Sequence, residues 1–145
     1  MYKRQTLKIP AVSVKNDYGM TPPNNLLMTT LDERESFFRE NKIPDNVTSF
    51  YCTYDSENKM YTFSSMREYL LKKLDEYRKD PTNFADDEVF CLQPVAVSTE
   101  TVQQYYGQSV TYVTRVAPYL TSPTMVELDM EHAQILFTFS SQVLE

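Results

Sequence analysis

Tryptophan is absent from this 145-residue chain, histidine occurs once, and cysteine and glycine occur twice each. One His and two distant Cys cannot build a multi-His metal centre or a CxxC redox pair. Two glycines leave no Gly-rich phosphate loop. No apolar run approaches the ~18 residues of a membrane-spanning helix, and the N-terminus has no signal-peptide hydrophobic region. Fourteen basic residues against twenty acidic ones give a net charge of -6. The basic residues are scattered rather than gathered into a stripe, which argues against nucleic acid as a partner. What is present is 41% hydrophobic and 23% charged residues, with eleven Tyr and eight Phe. That is the composition of one globular unit. A domain of this size buries roughly two-thirds of its unfolded surface and folds without a metal or disulfide staple. No cofactor and no metal is implied.

The first five residues, Met1-Tyr2-Lys3-Arg4-Gln5, match the translation of a sequencing-library adapter, GTG TAT AAG AGA CAG, with GTG read as the start. They are read as non-native, so that the native part begins near Thr6 and residues 6–145 form a single β-rich domain, the C-terminal part of a longer protein. Any export signal or membrane anchor would then lie upstream of this chain. On that reading the first strand sits at an exposed edge, with Leu7, Ile9 and Leu27 poorly covered.

Leu7, Ile9, Ala11 and Val14, interrupted by Pro10, have the spacing of a short strand that lies at an edge or ends at Pro10, because proline cannot donate to a ladder. Asn16 to Asn25 is loop, and Leu26-Leu27-Met28 is an apolar run of strand length. Thr30 and Glu33 have capping-box spacing and predict a short acidic helix to about Glu40, with Phe37-Phe38 as its buried side. Thr48 to Tyr54 and Met60 to Phe63 flank a polar turn and read as a β-hairpin. Ser65 and Glu68 form a second capping-box pattern. Met66, Tyr69, Leu70, Leu74 and Tyr77 then recur at helical spacing to about Lys79. After the Asp80 to Asp87 connector, Glu88 to Val97 is a nearly continuous apolar strand, covered on both faces. Gln103 to Gln108 is a loop, Val110 to Val116 alternates, and Pro118 to Pro123 breaks the pattern. Met125 to Leu128 follows. Ala133, Ile135, Phe137 and Phe139 alternate as one inward face. The fold expected is mainly β, a jelly-roll-like β-sandwich with one longer amphipathic helix and one short helix. Phe50, Phe63, Leu70, Leu92, Ile135 and Phe137 are expected to share its core.

Few residues point to chemistry. Cys52 and Cys91 lie among apolar neighbours and read as small buried hydrophobes, with a disulfide as the alternative. Neither has a basic neighbour to lower its pKa. His132 reads as solvated or singly hydrogen-bonded. The carboxylates Asp55/Glu57 and Asp86/Asp87/Glu88 read as solvated turns, with a Ca²⁺ site or a hydrolytic pair flanking a glycosidic bond as the sharper alternatives. Tyr105 and Tyr106 stand apart from the other aromatics, because their neighbours are polar and their segment has no core periodicity. Exposed rings stack on the apolar faces of sugars, so this pair is the candidate ligand-binding site.

The run Lys42-Ile43-Pro44-Asp45-Asn46-Val47-Thr48-Ser49-Phe50, with Phe37-Phe38, Thr53-Tyr54-Asp55, Tyr61-Thr62-Phe63 and Leu92-Gln93-Pro94-Val95, resembles secreted lipoproteins of Bacteroidota that carry a domain of unknown function. Leu7-Lys8-Ile9-Pro10 before a proline-rich loop adds to the resemblance, which covers Leu7 to Val97. It implies an exported, lipid-anchored protein of the cell envelope whose lipobox Cys lies upstream, and it implies no catalytic residue. The functional expectation is therefore a non-enzymatic surface domain, structural, adhesive or glycan-contacting, whose partners are glycan or other envelope components. The competing readings are a polysaccharide hydrolase using loop carboxylates and an assembly subunit that pairs through an edge strand.

Overall fold

A computed structural model describes residues 2–12, 14–85 and 87–139, with the side chains of residues 2–4 and 139 outside the description. Eight strands form one antiparallel sheet, accompanied by two α-helices. In chain order they are β1 (Tyr2–Val12), β2 (Asn25–Thr30), α1 (Glu33–Arg39), β3 (Ser49–Asp55), β4 (Met60–Phe63), α2 (Arg67–Lys79), β5 (Phe90–Gln103), β6 (Ser109–Pro118), β7 (Glu127–Leu128) and β8 (Gln134–Phe139). The sheet order is β6-β5-β2-β3-β4-β1-β7, and β8 also pairs with β1. The chain is thus mainly β, with one longer and one short helix.

The sheet curls, so that its two flanks face each other across a common core. Leu26 and Leu92 from one flank and Val126 and Leu128 from the other line one cavity of about 320 Å³, a sandwich-like arrangement built from a single sheet. The interior holds Ile9, Ala11, Leu26, Met28, Phe50, Cys52, Tyr61, Phe63 and Met66. These positions alternate along β1, β2, β3 and β4, as a period of two requires when one face is buried. The intervening residues face outward, and α1 covers part of that outer face. Phe37 is fully buried against Leu27, Val95 and Val116. Both faces of β2 are therefore covered, which accounts for its continuous apolar run. Along Glu88 to Val97 only Val95 is buried, and Val89, Pro94 and Ala96 are exposed, contrary to the cover expected on both faces.

Helix α2 closes one end of the core through Met66, Tyr69 and Leu70. Tyr69 packs edge-on to Phe50 and Phe90, with centroids 5.9 and 5.4 Å apart. Neither helix uses the capping box expected of it. Thr30 belongs to β2, and the residues preceding the helices, Asp32 and Met66, make no side-chain cap bond. Both helices are held by tertiary packing of their apolar faces, which outweighs a cap of about 1 kcal/mol.

Strand β1 is internal, not an edge. Its residues Leu7 to Pro10 pair with β4, while its opposite side pairs with β8 through Lys8 and with β7 from Ala11. Pro10 falls in the gap between β8 and β7, where its carbonyl accepts from the Asp129 N–H at 2.9 Å. Its missing N–H therefore costs no ladder bond, which is how a proline is tolerated inside the sheet. Ile9 and Leu27 are buried and Leu7 is half-buried, contrary to the poor cover expected of them. The reading of β8 also needs correction. Ala133 packs on the core, but Ile135 and Phe137 are 46% and 56% exposed, because among the described residues β8 has a strand on one side only and Phe137 opens onto a cavity toward α2. Phe139 has its side chain outside the described residues.

Candidate functional site

Tyr105 and Tyr106 lie at the tip of a hairpin arm. Strand β5 pairs with β2 only over Phe90 to Pro94, whereas its pairing with β6 runs from Val95 opposite Pro118 out to Gln103 opposite Ser109. Beyond Val97 and Val113, which still pack on the body, both strands are exposed. A two-stranded arm extends about 20 Å from the sheet at ~3.4 Å per residue. A bulge between Ser98 and Thr99, with Thr114 as the extra residue of β6, marks where it leaves the body. Thr114 returns its hydroxyl to the Ser98 carbonyl at 3.2 Å.

Cross-strand side chains hold the arm. The Thr101 and Thr111 hydroxyls are 2.8 Å apart, and the Tyr112 hydroxyl donates to Glu100 at 2.9 Å. That bond and the charge of Glu100 raise the pKa of the Tyr112 phenol. At the tip the Gln104 N–H donates to the Gln108 carbonyl at 2.7 Å. The chain reverses through Tyr106 at φ 75° and Gly107 at φ 74°. Glycine adopts this left-handed region freely, but a tyrosine there is strained by about 1 kcal/mol. Tyr105 is 92% exposed, and Tyr106 has no cover at all. Expectation and structure agree that these rings take no part in the core. The length of the arm was not legible, because Ser98 to Gln103 is polar and reads as connection. The Tyr106-Gly107 turn was the one available signal.

The other candidates are not brought together. Cys52 is buried on the inner face, where burial pushes its thiol up to about 12. Its β2 partner Leu26 stands opposite Pro94, three residues along β5 from Cys91, so the two thiols lie on opposite faces of the sheet and are free. His132, in a 3-10 turn at Met130–His132, is exposed, and its Nδ1 is 2.7 Å from the Asp129 carboxylate. Asp55 caps the β3–β4 turn through the Glu57 and Asn58 N–H groups and the Asn58 amide. Those bonds, the Asn58 amide first, lower its pKa. Glu88 accepts from the Tyr69 hydroxyl at 2.6 Å and pairs with Lys73 at 3.1 Å. Burial favours its neutral form, but these partners outweigh it and lower its pKa. Asp86 lies outside the described residues. Asp55 and Glu88 sit toward opposite ends of β3, on the order of 20 Å apart along the strands. A hydrolytic pair needs ~5 to 10 Å, so these clusters do not form one. Among the described residues no group of three or more His, Cys, Asp or Glu side chains is placed to hold a metal ion.

Compared with known proteins, the chain matches no family model, no curated protein and no solved structure.

Proposed function

We propose that this chain is a non-enzymatic binding domain of the bacterial cell envelope, exported and lipid-anchored as part of a longer protein, which contacts glycan through the tip of the β5–β6 arm. The observation that carries this reading is the strained, uncovered Tyr106 beside the equally exposed Tyr105. Strained backbone positions persist where the surrounding structure or a function holds them. Exposed aromatic rings at the tip of the arm offer flat apolar surfaces, which suit the apolar faces of a sugar. The envelope location rests on the resemblance of Leu7 to Val97 to secreted lipoproteins of Bacteroidota.

A glycan array probed with the wild type, Tyr105→Ala and Tyr106→Gly tests this function. Binding by the wild type that falls in either variant supports it. Unchanged binding in both, or none by the wild type, overturns it. The Tyr106→Gly variant removes the ring while relieving the turn, so a loss of binding there cannot be assigned to unfolding.

A second reading, an assembly subunit that pairs through an edge strand, is favoured by a different observation. Among the described residues, β6 pairs only with β5 and β8 only with β1, so each leaves one edge of the sheet unpaired.

A further inference from the structure

Among the described residues, strand β8 combines an unpaired edge with apolar side chains on both faces. Ile135, Leu136 and Phe137 are 46%, 43% and 56% exposed. No charged residue and no proline occurs between Gln134 and Phe139. Soluble proteins ordinarily blunt an edge strand with charge, proline or a bulge, and a bare apolar edge is a template for another strand. The contrast with β6 is informative, because that edge carries Arg115, the bulge at Thr114 and the terminal Pro118.

The backbone of β8 sets which groups face outward. The carbonyl of Pro10 points toward the β7–β8 side of β1, whereas the N–H of Ala11 points to Lys59 on the β4 side. Alternation along β1 then directs Thr6 and Lys8 toward β8, where they stand opposite Leu136 and Gln134. In β8 it is consequently Ile135 and Phe137 whose N–H and C=O groups face the open edge. Their side chains lie on the same face of the sheet as Leu7 and Gln5, their β1 partners.

We infer that β8 pairs antiparallel with β8 of a second copy of this chain about a two-fold axis at Leu136, joining the two sheets edge to edge. This inference rests on the assembly reading above and identifies its strand and its partner. In that register Ile135 stands opposite Phe137 of the second copy, and Phe137 opposite Ile135. The outward backbone groups of both chains meet in hydrogen-bonded pairs, and the same residues form cross-strand apolar pairs. Leu136 meets Leu136 on the other face, flanked by Gln134 opposite Thr138. A one-residue slip breaks both correspondences, because the backbone donors then face side-chain positions of the wrong parity. The pairing also extends cover over an open cavity of about 310 Å³ between α2 and Phe137, lined by Leu70, Leu74, Tyr77 and Phe84. Self-association is the choice the strand itself supports, since one six-residue segment satisfies its own backbone and side-chain pattern.

Sedimentation of the full chain from about 1 μM to 1 mM is expected to show a monomer–dimer equilibrium. Ile135→Pro removes an outward N–H without touching the bonds to β1, and is expected to weaken the dimer about tenfold or more. Circular dichroism and thermal unfolding identify a variant that has failed to fold, in which case Ile135→Lys serves the same purpose. For the register, Leu136→Cys is expected to form a reducible cross-link on mild oxidation, because non-hydrogen-bonded antiparallel partners lie ~4.5 Å apart at Cα, within disulfide range. Thr138→Cys is expected to form none. A monomer throughout, or a dimer indifferent to folded variants at Ile135, overturns the inference. A dimer lost instead on Val110→Lys in β6, an exposed position outside the core, also overturns it, while leaving the assembly reading in place.

Discussion

Gln5 stands directly opposite Phe137 across the β1–β8 ladder, and the burial of the two is inverted: the amide is 2% exposed and the aromatic ring 56%. Gln5 shares a strand face with Leu7, Ile9 and Ala11, so it occupies a core-facing position. Its Oε1 and Nε2 atoms are buried without a hydrogen-bond partner among the described residues. A buried polar group without a partner costs about 1 to 3 kcal/mol. Gln5→Leu is therefore expected to stabilise the fold by about 1 kcal/mol or more, read as a higher urea midpoint at unchanged slope.

Phe137 and Phe50 predict opposite outcomes for the same substitution. Phe50 is 1% exposed at the centre of the inner cluster, and Phe50→Ala should cost ~3 to 5 kcal/mol. Phe137→Ala should cost about 1 kcal/mol in the monomer, since more than half of the ring is already in water. Equal losses at low protein concentration would place both rings in one core.

Asp45 links stability to acid. Partial burial alone would raise its pKa, but the N–H groups of Val47, Thr48 and Ser49 and the Thr48 hydroxyl all donate to its carboxylate. Together they lower its pKa to about 2 from an ordinary 3.8. A carboxyl with a depressed folded-state pKa stabilises above its unfolded pKa and loses that contribution as pH falls through the folded one. Unfolding free energy should thus decline between pH 3.8 and about 2, and Asp45→Asn should flatten that decline. Urea titrations of both proteins across this range measure the difference.

Tyr106 carries a left-handed backbone that glycine adopts freely. Tyr106→Gly is expected to raise stability by up to about 1 kcal/mol, because no packing is lost with a fully exposed ring. A destabilised variant would mean that the ring makes contacts on the arm.

Some elements were readable from short stretches of chain. The Thr48–Tyr54 and Met60–Phe63 hairpin and the helix ending at Lys79 appear where their periodicities place them. So does the isolation of Tyr105 and Tyr106 from the core, because a polar segment without periodicity has no face to bury. The capping boxes misled, since a Ser or Thr three residues before Glu marks a helix start only when the backbone begins there. Thr30 instead extends β2, paired with Phe90 of β5 and donating its N–H to the Thr48 carbonyl.

The order of residues along a local stretch sets which of them share a strand or helix face, through periods of 2 and 3.6. It also determined the absence of a CxxC pair or a multi-His cluster. What covers each face depends on how distant segments pack. β1 became internal because β8, more than a hundred residues away, closes its far side. The same pairing left Ile135 and Phe137 at an edge. The β5–β6 pair became an arm because β2 is too short to follow it. Alternation is a local property of the backbone, whereas burial depends on distant strands whose positions no local pattern encodes.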